Sequence, residues 1–140
     1  MKTWRPFLVL GMCATLGAGT TALLVPRPEG VNILPEAALR LPMPLWIDAR
    51  GEGDFSRGHV PGALLLNEDN WSQAIVGVLE AWSPGRPIVV YCGSSKCSAS
   101  HAVARRLRGE EYQLEPVHVL RGGWDALEMS ARIGKELKWP

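Results

Sequence analysis

The chain has 140 residues, 46% hydrophobic and 21% charged, with a formal net charge of +1: long enough for one domain with its own core, too short for two. This apolar content argues against disorder, and fifteen Gly with eleven Pro exclude a helical bundle in favour of a fold with many turns. With Lys2 and Arg5 set aside, 13 Lys and Arg face 14 Asp and Glu and no basic block remains, so the electrostatic footprint of a nucleic-acid binder is missing.

Residues 1–25 are expected to lie outside the fold. A positive start, Met1-Lys-Thr-Trp-Arg-Pro-Phe7, runs into FLVLGMCATLGAGTTALLV, whose 19 uncharged residues from Phe7 to Val25 are about enough to cross a bilayer as one hydrophobic helix. Lys2 and Arg5 before this run, against a single Arg27 partly offset by Glu29 after it, predict a cytoplasmic N-terminus and an exported remainder, in the periplasm or outside the cell. Gly17-Ala18-Gly19 and Thr20-Thr21-Ala22 supply the small residues that signal peptidase prefers, so the segment reads as a retained transmembrane anchor or as a cleaved signal peptide. Cys13 reads as a small apolar residue within it, since Leu10-Gly11-Met12 makes only a faint lipoprotein box. Residues 26–44, with Pro26, Pro28, Pro35, Pro42 and Pro44, read as a stiff tether around one short helical piece, Glu36 to Leu41. The domain is expected over residues 31–137.

Four short apolar runs follow: Leu45-Trp46-Ile47, Ala63-Leu64-Leu65-Leu66, Ile88-Val89-Val90-Tyr91 and Val117-His118-Val119-Leu120. Most lack the alternation of a sheet with one wet face, which predicts buried parallel strands. Trp71, Ala74, Ile75, Val78, Leu79 and Trp82 recur at helical spacing, with Asp69 or Asn70 as the cap. A second helix is expected from Ser98 to Arg108, with Ala99, Ala102, Val103 and Leu107 inward and Arg105, Arg106 and Arg108 outward. Strands alternating with helices predict right-handed crossovers covering both faces of a parallel sheet, a small α/β sandwich. Ser83-Pro84-Gly85-Arg86-Pro87 and Arg121-Gly122-Gly123 supply the turns.

In open α/β sheets reactive groups gather at the carboxyl ends of the strands. Three such ends stand out: Asp48-Ala-Arg50, Cys92-Gly-Ser-Ser-Lys-Cys97 and Gly122-Gly-Trp124. A Cys directly after a buried strand, then a small-residue loop, then a helix places a thiol above backbone N–H groups and a helix N-terminus, a setting expected to lower the Cys92 pKa. Gly93, Ser94 and Ser95 allow the loop to curl with its amides facing the sulfur, and Lys96 adds positive charge. Cys97 reads as a packing residue, a resolving thiol or a disulfide partner of Cys92. Cys92, Cys97 and His101 as metal ligands match no structural zinc spacing and lack a fourth ligand, so no metal site is expected.

These residues resemble the rhodanese-like sulfurtransferase domain over most of Val31 to Lys135. The likeness is carried by Leu45-Trp-Ile-Asp-Ala-Arg50, Asp54-Phe-Ser-Arg-Gly-His-Val-Pro-Gly-Ala63, Ile88-Val-Val-Tyr-Cys92 and Val119-Leu-Arg-Gly-Gly-Trp124, four motifs in the family's order and separations. The resemblance implies a five-stranded parallel sheet between helices in a three-layer sandwich, and Cys92 as the sulfur-accepting nucleophile. It also implies that Gly93, Ser94, Ser95, Lys96, Cys97 and Ser98 form the loop cradling a persulfide. Asp48 and Arg50 look like the family's strand-end pair, supporting neighbouring loops through Arg50 with Glu52 or Asp54. His59 looks like the family's turn histidine, bonded to backbone, while His101 and His118 fall on a helix face and within a strand. Trp124 is expected to pack beside the active loop, and Trp46, Trp71 and Trp82 to fill the core. The chain departs from the family pattern at Cys97, a Cys-x4-Cys-x2-Ser100 variant, which argues against assuming thiosulfate as the donor. Related phosphatases need Cys-x5-Arg, where a bidentate guanidinium holds phosphate; Ser98 stands at that position and disfavours this chemistry.

The leading expectation is therefore an extracytoplasmic sulfurtransferase passing sulfane sulfur from a small or persulfidated protein donor through Cys92 to a nucleophilic acceptor, without a cofactor. Two others stand beside it: redox chemistry or redox regulation through Cys92 and Cys97, and a non-catalytic interaction module on the same fold.

Overall fold

A computed structural model describes residues 32–133. The apolar leader, the first part of the tether and the expected end of the domain at residues 134–137 lie outside the described residues. Among the described residues no helix is long and apolar enough to cross a membrane.

Five strands, β1 (Asn32–Ile33), β2 (Leu45–Asp48), β3 (Leu64–Leu65), β4 (Ile88–Tyr91) and β5 (Val117–Leu120), form one parallel sheet in the order β1-β5-β4-β2-β3. Every residue of β2 and β4 is buried, as expected for central strands covered on both sides. Side chains alternate between two cores. Leu45, Ile47, Ile88, Val90, Val117 and Val119 face α3 (Trp71–Ala81) and α4 (Ala99–Arg108). Trp46, Val89, Tyr91 and Leu120 face the other way, against Ala38 of α1 (Pro35–Ala38), Phe55 of α2 (Glu52–Arg57) and Leu127 of α5 (Gly123–Ile133). The result is the expected three-layer α/β sandwich.

Several expectations are corrected in detail. The helical piece placed at Glu36 to Leu41 starts a residue earlier, at Pro35, whose fixed φ suits the first turn, and ends at Ala38. The strand expected over Ala63 to Leu66 pairs only at Leu64 and Leu65, because it lies at the sheet edge with β2 as its single neighbour. Asn70 takes the N-cap position of α3 but makes no side-chain cap; its Oδ1 accepts from the Asn67 amide at 2.8 Å instead. Leu79, expected inward, is 40% exposed at the margin of the helix's apolar stripe. In α4 the buried stripe is Ser100, Val103, Ala104 and Leu107; Ala99 packs half-buried against the same core as expected, Ala102 is only half-buried, and Ser100 and Ala104 turn inward where they were not expected. This rotation matters for the site, because it carries Ser100 under the loop that follows β4. Trp46 and Trp71 are buried and Trp82 is half-buried, with its indole N–H donating to the Arg86 carbonyl at 2.9 Å.

Candidate active site

The carboxyl ends of β2, β4 and β5 converge on one edge of the sandwich. At the end of β2, Asp48 is fully buried and pairs with Arg50. The Arg50 guanidinium donates to Asp48 Oδ2 at 2.6 Å through one terminal nitrogen and to Oδ1 at 3.0 Å through Nε, while the Arg50 amide donates to Oδ1 at 2.9 Å. The same guanidinium also donates to the Gly58 carbonyl at 2.6 Å, which ties the turn after α2 to the strand end. Arg50 thus supports the loops through Asp48 and Gly58, not through Glu52 or Asp54 as the sequence suggested; Asp54 pairs with Arg57. Burial works against the Arg50 charge, yet the hydrogen bonds and charge of Asp48 outweigh it and raise the pKa.

Aromatic rings complete this wall. The guanidinium carbon of Arg50 lies 4.6 Å from the centre of the Trp124 ring and 5.7 Å from that of Tyr91, and the two rings stack on each other at 6.1 Å. The Tyr91 hydroxyl accepts from the Val60 amide at 3.1 Å, and burial pushes its pKa well above the ordinary phenol value. His59 stacks on Phe55, and its Nδ1 lies 2.8 Å from the Phe55 carbonyl, the backbone role expected of it. The Trp124 ring packs on Arg50, Tyr91 and Gly58, while its backbone amide reaches the start of the loop after β4. Tyr91 is a supporting residue the sequence analysis assigned only to a strand, since no local pattern marks its partner thirty-one residues away.

The loop after β4 is anchored at its start. Trp124 N–H donates to the Cys92 carbonyl at 2.7 Å and Asp125 N–H to the Gly93 carbonyl at 3.0 Å. Such close approach requires glycine before Trp124: Gly123 has φ +61°, and a Cβ there would fall 2.3 Å from the Cys92 oxygen. Beyond the anchor, Ser95, Lys96 and Ser98 are exposed, Gly93, Ser94 and Cys97 half-buried, and the tip closes through Cys97 N–H to the Ser94 carbonyl at 3.2 Å.

Cys92 is 1% exposed and, like Cys97, a free thiol. Its Sγ lies 3.4 Å from the Cys97 carbonyl, 3.7 Å from that of Ser94, and 3.6 Å from the Ser100 hydroxyl, which donates to it. The expected ring of loop amides is therefore corrected: carbonyls of residues 94 and 97 face the sulfur, and the donors come from Ser100 on α4. The expected lowering of the Cys92 pKa is corrected with it. Burial pushes the thiol up, the Cys97 side chain adds to this, and the hydroxyl and amide of Ser100 pull back down without winning. A thiol with carbonyl oxygens around it is favoured as the protonated donor. Ser100 entered the sequence analysis only through its spacing from Cys92; the signal for its role was its place three and four residues before Val103 and Ala104 on the inward face.

Beside the loop lies a cleft of about 200 Å³ between α4 and the end of β5, lined among others by Ser94, Cys97, Ser100, His101 and Arg121. Cys97 forms part of its wall and Cys92 does not. Among the described residues no three His, Cys, Asp or Glu side chains are grouped to hold a metal ion.

The rhodanese-like domain model matches residues 35–130. No curated protein matches the chain in sequence. Among solved structures, a thiosulfate sulfurtransferase from Pseudomonas aeruginosa superposes with a TM-score of 0.56 at 23% identity, over 73% of this chain but only 18% of that one. A rhodanese-like domain protein from Staphylococcus aureus gives 0.51 at 17% identity, over 69% of this chain and 90% of its own. A protein of unknown function from Rhodopseudomonas palustris gives 0.57 at 17% identity, over 73% and 82%. At these identities the structures establish a shared fold, while the family match covers more than half of the sequence and includes the β2, β4 and β5 strand ends described above: the chain belongs to the rhodanese-like domain family.

Proposed function

We propose that this protein is a sulfurtransferase that holds sulfane sulfur as a persulfide on Cys92, acting outside the cytoplasm on a domain tethered by its apolar N-terminal segment. The observation that carries the reading is the placement of Cys92. It is a free thiol at the end of the central strand β4, with the Ser100 hydroxyl 3.6 Å from its sulfur and its carbonyl fixed by the Trp124 amide. Family membership supports the activity class, and the charge asymmetry around residues 7–25 supports the location.

The chemistry is nucleophilic substitution at sulfur. The Cys92 thiolate attacks the outer sulfur of a small sulfur donor or of a persulfidated protein, the donor's remaining fragment leaves with the electron pair, and an acceptor nucleophile later takes the outer sulfur and returns Cys92. No oxidant, metal or organic cofactor takes part. Ser100 stabilises negative charge on Sγ, whereas the Ser94 and Cys97 carbonyls oppose it. Admission of a charged persulfide therefore requires the loop tip, residues 94–97, to turn its carbonyls away, a movement that exposed Ser95 and Lys96 do not resist and in which half-buried Ser94 and Cys97 must shift. Gly93 and the anchored Cys92 carbonyl stay in place and act as the hinge.

Steady-state transfer of sulfur from thiosulfate or inorganic polysulfide to a thiol or cyanide acceptor tests the reading. The Cys92→Ser protein is expected to fall to the uncatalysed rate while remaining folded, and a Cys92→Ser protein that still turned over would refute it.

A further inference from the structure

Resting on the sulfurtransferase reading, we propose that Cys97 is the thiol that first meets an anionic sulfane donor in the cleft beside α4, and that it passes the sulfur inward to Cys92. Three observations place it there. Cys92 is 1% exposed and is absent from the cleft wall, whereas half-buried Cys97 lines it. The cleft, at about 200 Å³, has the size of a small donor, and its lining includes the hydroxyls of Ser94 and Ser100, the His101 ring and the Arg121 guanidinium, whose charge suits a terminal sulfane anion. The two cysteines are also neighbours across the loop: Cys92 Sγ lies 3.4 Å from the Cys97 backbone carbonyl, and the Cys97 side chain is one of the groups acting directly on the Cys92 thiol.

Both steps conserve electrons. In the first, Cys97 attacks the terminal sulfur of the donor; a bond forms between that sulfur and Cys97 Sγ, the donor's own S–S bond breaks, and the remaining fragment leaves with the electron pair, as a hydropolysulfide shorter by one sulfur when the donor is inorganic polysulfide, and takes up the proton released by Cys97. In the second, Cys92 attacks the same outer sulfur; the bond to Cys97 Sγ breaks, and Cys97 leaves with the electron pair and takes up the Cys92 proton. Nothing is oxidised, and the sulfur ends on the thiol that solvent reaches least. The arrangement gives accessibility to one cysteine and protection to the other, which a single buried nucleophile cannot combine.

Trypsin cleaves after Lys96, so the two cysteines fall in separate peptides and the position of the sulfur can be read directly after rapid alkylation. The probe is inorganic polysulfide added briefly to the reduced full chain. In Cys92→Ser, the extra sulfur is expected to accumulate on Cys97. In Cys97→Ser, and in Cys97→Ala as a second variant with the same fold, loading of Cys92 is expected to slow at least tenfold. Wild-type loading of Cys92 in both Cys97 variants, with no sulfur found on Cys97 in Cys92→Ser, would overturn the relay and leave the sulfurtransferase reading intact. Failure of the wild-type chain to take up sulfur at either position would instead refute the sulfurtransferase reading and the relay with it. A Cys92–Cys97 disulfide with released hydrosulfide would also overturn the relay, by assigning Cys97 to resolution of the persulfide.

Discussion

Two strand ends face each other across the candidate site, and they are built on opposite principles. At the end of β2 the polar groups are locked: Asp48 is fully buried and accepts from the Arg50 guanidinium and amide, and Arg50 in turn holds the Gly58 carbonyl and lies against Trp124. At the end of β4 the first two residues of the loop are held through the amides of Trp124 and Asp125, and the tip has one backbone turn and long contacts to the Cys92 sulfur, with Ser95 and Lys96 exposed. A reaction that adds an atom to Cys92 needs one wall that stays put and one that yields. Small residues and carbonyls near the sulfur make the second wall adaptable, while charge-assisted hydrogen bonds make the first one rigid.

Breaking the rigid wall is expected to have the largest effect. Asp48→Ala leaves the Arg50 guanidinium, 8% exposed, without its carboxylate, at a cost of about 3–5 kcal/mol measurable by urea unfolding. A loss below about 1 kcal/mol would mean that water replaces the pair and that the wall is not rigid. Gly123→Ala attacks the hinge where the walls meet. At φ +61° with the Cys92 oxygen 2.3 Å from the new Cβ, strain and overpacking together are expected to cost about 3 kcal/mol and to displace the β4 loop, reducing sulfur loading as well as stability. Tyr91→Phe strips the hydroxyl that accepts from Val60 and strands a buried amide, at about 1–2 kcal/mol, with little effect on the loop after Gly93.

The smallest effect, and the most local, concerns the adaptable wall. Burial raises the Cys92 pKa while Ser100 lowers it, so alkylation of Cys92 is expected to rise with pH through a midpoint above the ordinary thiol value, and Ser100→Ala is expected to move that midpoint higher still. A midpoint that fell or stayed in place would remove Ser100 from the site. The linkage has a matching sign. Because folding raises this pKa, the stability associated with the neutral thiol is complete below the unfolded value of about 8.5 and is lost as pH rises through the folded value.

The strand ends were legible in the sequence to different degrees for the same reason. Strands β2 and β4 announce themselves because burial on both faces leaves near-continuous apolar runs, β5 does so despite the half-buried His118 within it, and the residue following each run must then lie at the carboxyl edge. Strand β1 is two residues at the edge of the sheet, Asn32 and Ile33, and exists through its pairing with Val119 and Leu120, which no local pattern encodes. Cys92 as the candidate nucleophile followed from its position; the chemistry around its sulfur did not. Residue types reveal that Gly93, Ser94 and Ser95 permit a tight turn, but not that carbonyls point inward, nor that a small rotation of α4 brings Ser100 within reach. Likewise Arg50 had two acidic neighbours two and four residues ahead, and only the fold shows that it turns back to Asp48.

The intact mass of the reduced full chain, before and after brief exposure to inorganic polysulfide and to thiosulfate with Cys92→Ser in parallel, tests the central claim most directly. The account predicts a gain of one sulfur atom in the wild-type chain that comes to rest on Cys92. No gain from either donor by a folded chain, or the loss of two hydrogens alone as Cys92 and Cys97 join, would contradict it.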